Sequence, residues 1–256
     1  LSESVRAVER SLDILLCFSR QTPELSLTQI AEQIGLHKST VHRLLATLEK
    51  RRFVDRDPIT GNYRLGIRIL QMAYLTLEHN DLRRLSTPFL RNLCDKYQET
   101  IHLAILDDTD VVFVNIFESP QRVKLAASLG QRLPAFATAS GKAMMAYMSD
   151  EAVWRILENG MPRYTQHTPQ TPEAFFKDLS NIREQGFAIS VEEYENEISA
   201  VAAPIFDSNR RPLASVAIAG PAYRLTEERM YQIGPSLVET AKNISREFEM
   251  GAQPQI

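Results

Sequence analysis

Between Val5 and Leu48 apolar residues recur at helical spacing in three groups. Val5, Val8, Leu12, Leu15 and Leu16 form the first stripe, which is expected to pack behind the elements that follow. A short second helix is predicted over residues 27–34. Ser26 can cap it while Gln29 reaches back, and Leu25 with Ile30 supplies the flanking apolar pair. Gly35 then permits the left-handed backbone of a sharp turn between helices, and Leu36 is an apolar plug for the angle. In the third group Val41, Leu44, Leu45 and Leu48 fall at i, i+3, i+4 and i+7, so one side faces a core. The opposite side shows Ser39, Arg43, Ala46 and Lys50, flanked by His42 and Thr47, with Lys38 and Thr40 near its start. Strand-like runs at residues 53–56 and 62–65 enclose Asp57-Pro58-Ile59-Thr60-Gly61, whose Pro and Gly are turn residues, and this reads as a hairpin wing.

From residue 67 the helical phase returns, with Leu70, Ala73 and Leu77 on one stripe, then Leu82, Leu85, Phe89, Leu93 and Tyr97 on another. This predicts a linker helix over 67–80 between an N-terminal module, 1–66, and a second domain, 81–256. A helical connector keeps orientation if ligand-driven movement must reach the first module. In the second domain, strands are predicted at 100–106, 111–117 and 123–127, helices at 140–148, 151–157 and 172–185, and strands again at 186–191, 200–205 and 212–219. A long amphipathic helix over about 226–250 closes the chain. Strands on either side of a helical block imply an α+β domain, with helices on one or both faces of a mainly antiparallel sheet.

The chemistry of the third helix is that of a DNA reader. An arginine forks onto a guanine edge, small hydroxyls and alanine allow close approach, and Lys38 reaches phosphate. Arg51, Arg52, Arg56 and Arg64, on or beside the wing, are placed for the phosphate backbone or a minor groove. Charge supports this. The whole chain carries −3, but residues 36–66 hold 7 basic against 3 acidic side chains, so the excess lies where helix and wing would meet DNA. Cys17 and Cys94 read as core residues, and no Cys/His cluster has metal spacing. No cofactor or metal is expected. With no signal-like N-terminus and no apolar run approaching about 18 residues, a cytoplasmic protein is expected.

In the second domain the loop GQRLPAFATASGKA, residues 130–143, leads small residues directly into a helix, where free N–H groups can receive a carboxylate or phosphate. It lacks the glycine and Ser/Thr positions of a Walker motif. Catalysis is poorly supported. Ser140 with Lys142, and Ser190 near Glu192 and Glu193, match no nucleophile-elbow spacing. His102, with no evident partner in the sequence, alternates with Ile101 and Leu103 as a core-edge or pocket-lining residue.

Taken in order, SLTQIAEQIGLHKSTVHRLLATL, DPITGNYRLG, GQRLPAFATASGKA, GFAISVEEYE and AAPIFDSNRRPLASVAIAGP resemble the IclR family of bacterial transcriptional regulators over nearly the whole chain. The resemblance implies a winged helix-turn-helix domain, a linker helix and a GAF-like effector-binding domain. It further implies homodimers, commonly associated into tetramers, on palindromic promoter sites. It also implies a small-molecule effector beneath Ala139, Ser140 and Gly141, with walls from Val123, Leu125, Ser190, Ala200, Ala217 and Ala219. Family members that bind small carboxylates often carry Asp, Cys or Ser at several of these strand positions. The three alanines here therefore imply a less polar or larger effector, an aromatic or other organic acid anchored at the helix N-terminus. His37 stands where the family commonly has proline and offers an extra phosphate contact. The expected function is effector-controlled transcription regulation of a catabolic operon. The alternatives are a constitutive DNA-binding protein whose second domain only oligomerises, and a hydrolase carried on a DNA tether.

Overall fold

A computed structural model describes residues 5–19, 21–78, 81–158 and 160–251. The chain divides into two compact units, 1–79 and 80–256.

In the first unit α1 (Arg6–Leu16), α2 (Leu27–Gln33) and α3 (Lys38–Lys50) enclose a small core of Ile14, Leu25, Ile30, Val41, Leu45, Leu48, Val54 and Tyr63. The capping signals at α2 act as expected. Gln29 N–H donates to Ser26 Oγ at 3.3 Å, and Ser26 N–H donates to Gln29 Oε1 at 2.8 Å. Gly35, at φ +64°, turns the chain into α3. The wing is β2 (Val54–Arg56) and β3 (Tyr63–Leu65), and a two-residue strand before α2, β1 (Glu24–Leu25), adds to β3. Asp57 Oδ1 accepts the N–H groups of Ile59 and Thr60, each at 2.8 Å, which closes the wing turn. α4 (Ile67–Glu78) follows; the side chain of Leu77 lies outside the described residues.

One expectation is reversed. In α1 the stripe Val5, Val8, Leu12 and Leu16 is exposed, and Ile14 is the side chain that reaches the core, supported by half-buried Leu15, Cys17 and Phe18. The helix has two apolar sides, and α3 covers the one around Ile14. Cys17 is accordingly half-buried, whereas Cys94 is buried.

The second unit opens with α5 (Asp81–Tyr97) and builds a six-stranded antiparallel sheet in the order β6-β5-β4-β9-β8-β7. The strands are β4 (Thr100–Asp107), β5 (Asp110–Phe117), β6 (Arg132–Pro134), β7 (Ala188–Val191), β8 (Ile198–Phe206) and β9 (Pro212–Pro221). Strand alternation divides its side chains between two cores. Ile101, Leu103, Val216 and Ile218 meet α5 and the final helix α9 (Glu227–Gly251) on one face. Ala104, Phe113, Ala202 and Ala217 meet a 3₁₀ turn (Ala135–Ala137), α6 (Ala139–Met145), α7 (Asp150–Leu157) and α8 (Pro172–Gln185) on the other. Both faces are therefore covered. The strand predicted at 123–127 does not form. The edge of β5 is taken instead by β6, whose Arg132 is held by Asp107 and Asp110, and residues 121–130 run as irregular chain.

Candidate functional site

On α3 the buried stripe of Val41, Leu45 and Leu48, with half-buried Leu44, leaves Lys38, Ser39, His42, Arg43, Ala46, Thr47 and Lys50 exposed together, with Thr40 half-buried. Thr47 Oγ1 donates to the Arg43 carbonyl at 3.0 Å, so its hydroxyl proton is engaged within the helix. In the wing Arg56 lies 5.5 Å from the Tyr63 ring centroid, and its Nε donates to the Gly61 carbonyl at 3.3 Å. Arg64 is 3.8 Å from Glu24 in an exposed pair, which costs little to break. The face combines one forked donor, small residues and flanking cations, the set needed to enter a major groove and hold phosphate.

The second unit holds a cavity of about 90 Å³ against the sheet, between α6 and the loop after β7. Leu125, Ala139, Ser140, Ser190, Ala200 and Ala219 line it, as expected from the sequence. Three further expected residues stand elsewhere. Val123 is 59% exposed, outside the lining, with its carbonyl accepting from Arg224 Nη2 at 2.9 Å. Ala217 is opposite His102 in the β4–β9 register and fully buried, sealed within the core. Gly141 lies one step past the lining, packed on the 3₁₀ turn. A Cβ there would sit 2.1 Å from the Ala135 carbonyl oxygen. The alanines do not produce a large chamber, because Phe113, Leu133 and Tyr194 occupy its sides.

His102, expected at a core edge or pocket wall, is both buried and part of the cavity lining. It lies on the inner face of β4 with its ring centroid 4.2 Å from that of Phe113. Its Nε2 is 3.2 Å from Ser140 Oγ, while Nδ1 is buried without a hydrogen-bond partner. Burial pushes the imidazole down to about 4, so the ring is neutral near pH 7. This is a Ser–His contact without catalytic poise. No carboxylate orients Nδ1, and a base of that strength takes little proton from a hydroxyl at neutral pH.

The pairing of Ser140 with Lys142 also dissolves. Lys142 points away into a buried ion cluster, its Nζ 2.6 Å from Glu193 Oε1 and 2.9 Å from Asp178 Oδ2. Burial would depress the amine, but Glu193 and Asp178 more than offset this and hold it above the ordinary lysine range. The cluster joins α6 to α8 and to the loop that carries Tyr194 and Glu195 over the cavity. That loop begins and ends in left-handed backbone, at Glu192 (φ +54°) and Glu197 (φ +65°). Thr165 and Thr168 donate to the Glu192 and Glu193 carbonyls at 2.6 and 2.7 Å. Tyr194 packs on Tyr164 with centroids 5.0 Å apart. Among the described residues no group of His, Cys, Asp and Glu is arranged for a metal, and no helix is long and apolar enough to cross a membrane.

Comparison with known proteins is consistent across both units. Residues 7–58 match the family profile described as IclR helix-turn-helix domain, and residues 74–246 match that of the bacterial transcriptional regulator IclR C-terminal domain. The chain is 31% identical over 244 residues to the transcriptional repressor IclR of Escherichia coli, covering 94% of this chain and 89% of that protein. It is 32% identical over 245 residues to the E. coli regulator XynR, covering 94% and 96% respectively. A crystal structure of an IclR transcriptional regulator from Alicyclobacillus acidocaldarius superimposes with TM-score 0.85 at 28% identity, over 96% of this chain and 99% of that one. An IclR homologue from Microbacterium hydrocarbonoxydans, complexed with 4-hydroxybenzoate, shares the fold at TM-score 0.79 and 23% identity, over 94% of this chain and 99% of that one.

Proposed function

Because the chain belongs to the IclR family of DNA-binding bacterial transcriptional regulators, we propose that it controls a catabolic operon in response to a small organic acid held in the second unit. It binds a palindromic operator as a homo-oligomer, with Arg43 reading bases and Lys38, Ser39, Thr40, His42, Thr47, Lys50, Arg56 and Arg64 supporting it on the groove and backbone. The effector acts by binding the DNA-competent and DNA-incompetent forms unequally. The observation that carries the effector reading is the cavity itself, which is apolar on most sides and presents His102, Ser140 and Ser190 from three separate elements. Convergent polar groups in an otherwise apolar hollow are the usual form of a small-molecule site. The Microbacterium neighbour, a protein of this fold carrying a carboxylic acid, supports the choice of ligand class.

The experiment is a thermal-shift screen of the full chain against glyoxylate, pyruvate, benzoate, 4-hydroxybenzoate and related acids. An acid that binds only the folded protein raises its melting temperature. The expected result is a rise with one acid class, lost in Ala219→Phe, and a change in operator affinity with the same acids. A flat response throughout would instead favour the constitutive binder.

The DNA face has its own test. Arg43→Ala should cost about 1–3 kcal/mol on the operator and relax base preference, whereas Arg64→Ala should weaken specific and random DNA alike and lower the salt slope by about one. Titrations at several salt concentrations separate the two. Equal losses on both DNAs for both variants would refute this division of roles.

A further inference from the structure

An acid bound in this cavity meets an electrostatic difficulty. Among the described residues that line it, none is lysine or arginine, and the one carboxylate, Glu195, stands exposed at the rim. Lys142 lies close by in sequence but is committed to Glu193 and Asp178. An anion taken from water into such a hollow loses its hydration without gaining a cation, which is unfavourable unless the charge is neutralised. His102 is the group placed to do this. It is buried in the cavity lining, its Nε2 is 3.2 Å from Ser140 Oγ on α6, and its Nδ1 has no hydrogen-bond partner among the described residues. Glu195 aside, the side chains that the described residues bring to this hollow or set beside His102 are uncharged. Phe113 comes from β5, Ala217 and Ala219 from β9, Thr138 and Ser140 from the start of α6, Ser190 from β7, and Tyr194 from the loop over the cavity.

We propose that the cavity takes up one proton from solvent with each carboxylic acid it binds, and that His102 receives it, so that the occupied site holds an imidazolium beside a carboxylate. The inference rests on the acid-effector reading and adds the residue and the ionic form. Burial by itself disfavours the charged form of the ring and keeps it neutral near pH 7. A carboxylate at contact distance reverses that preference, since an opposite charge in a poorly screened site stabilises the imidazolium. Binding and protonation are then linked. The complex holds one more proton than the free partners, and affinity strengthens as pH falls.

The test is isothermal calorimetry of the full chain with pyruvate, glyoxylate, benzoate and 4-hydroxybenzoate at pH 7, in phosphate and in Tris, two buffers with very different ionisation heats. The expected result, for the acid that binds, is a difference in apparent binding heat equal to the transfer of about one proton, and a Kd that weakens about tenfold per pH unit between pH 6 and 8. In His102→Asn, which keeps a polar side chain but cannot ionise, proton uptake and its pH dependence should vanish while weaker binding persists. Equal heats in the two buffers, with binding intact, would overturn the proposal and leave the acid-effector reading standing. Uptake that survives in His102→Asn would overturn the role of His102, because the acid itself would then carry the proton. No binding by any of the four acids would overturn both. The buffer comparison needs only the unaltered protein, so a poorly folded variant does not remove the test.

Discussion

Replacing Lys142 with methionine should destabilise the second unit by about 3–5 kcal/mol, the usual cost of removing one partner from a buried ion pair. The loss comes less from the attraction forgone than from what remains. Glu193 has a side-chain exposure of only 12%, its Oε2 has no partner, and burial already pushes its carboxyl upward against the pull of Lys142. Without the amine, Glu193 must either stay charged in a poorly solvated site or take a proton. Asp178, 39% exposed, can turn to water. The deficit should therefore shrink as pH falls. In the variant, the folded pKa of Glu193 lies further above its unfolded value, so its cost is full well above that raised pKa and is relieved as protonation proceeds. Adding Glu193→Gln to Lys142→Met should recover most of the loss. Denaturant titrations of the two variants at pH 8 and pH 5.5 read all of this. A deficit in Lys142→Met that is small and independent of pH would mean the cluster is more hydrated than its burial implies.

Gly141→Ala should be as damaging for a different reason. The added methyl would lie 2.1 Å from the Ala135 carbonyl oxygen, 2.4 Å from its Cα and 2.5 Å from its carbonyl carbon. All three are backbone atoms, so no rotamer change relieves the overlap, and α6 must separate from the 3₁₀ turn. The cost should exceed about 3 kcal/mol, the upper end of ordinary overpacking. Both displaced elements line the cavity, through Ala137, Ala139 and Ser140, so acid-induced stabilisation should disappear even where the variant still folds. Thermal melts with and without acid check both parts. A variant that melts like the parent would show that α6 and the turn have slack that their close approach does not imply.

Gly141 and Lys142 illustrate what could and could not be read from the chain. The small residues before α6 pointed to a helix start that receives an acid, whereas Gly141 is packed against the 3₁₀ turn; the alternation around His102 placed it at a core edge or pocket wall. The first unit was legible almost throughout because its signals are local: the Ser26–Gln29 cap, Gly35 at the turn, and the Asp57 wing turn all act within a few residues. The ion partners of Lys142 lie 36 and 51 positions away, and no pattern in the sequence pairs them. The same limit explains the two misread elements. Periodicity in α1 reports that Val5, Val8, Leu12 and Leu16 share a side, but not which of two apolar sides the neighbouring helix covers. Alternation at Val123, Leu125 and Ala127 satisfies a strand, yet strand formation needs a free partner edge, and Arg132–Pro134 occupies the edge of β5. Of the residues expected around an effector, Leu125, Ala139, Ser140, Ser190, Ala200 and Ala219 line the cavity, while Val123 left with its strand, Ala217 is buried beside His102 and Gly141 is packed on the 3₁₀ turn.

The alanines at 137, 139, 200 and 219 give the cavity a further property. Each ends in a single methyl on a rigid sheet, turn or helix, so lengthening any one shortens the hollow from a known direction while the strand register and the helix contacts beneath stay put. A methylene gained or lost in such a place changes the preference between two ligands by about 1–3 kcal/mol. On the effector reading proposed above, a lineage built on this frame can thus exchange the acid it senses through single codon changes at these positions, and keep its operator, whose proposed reading face is made by other residues in the other unit.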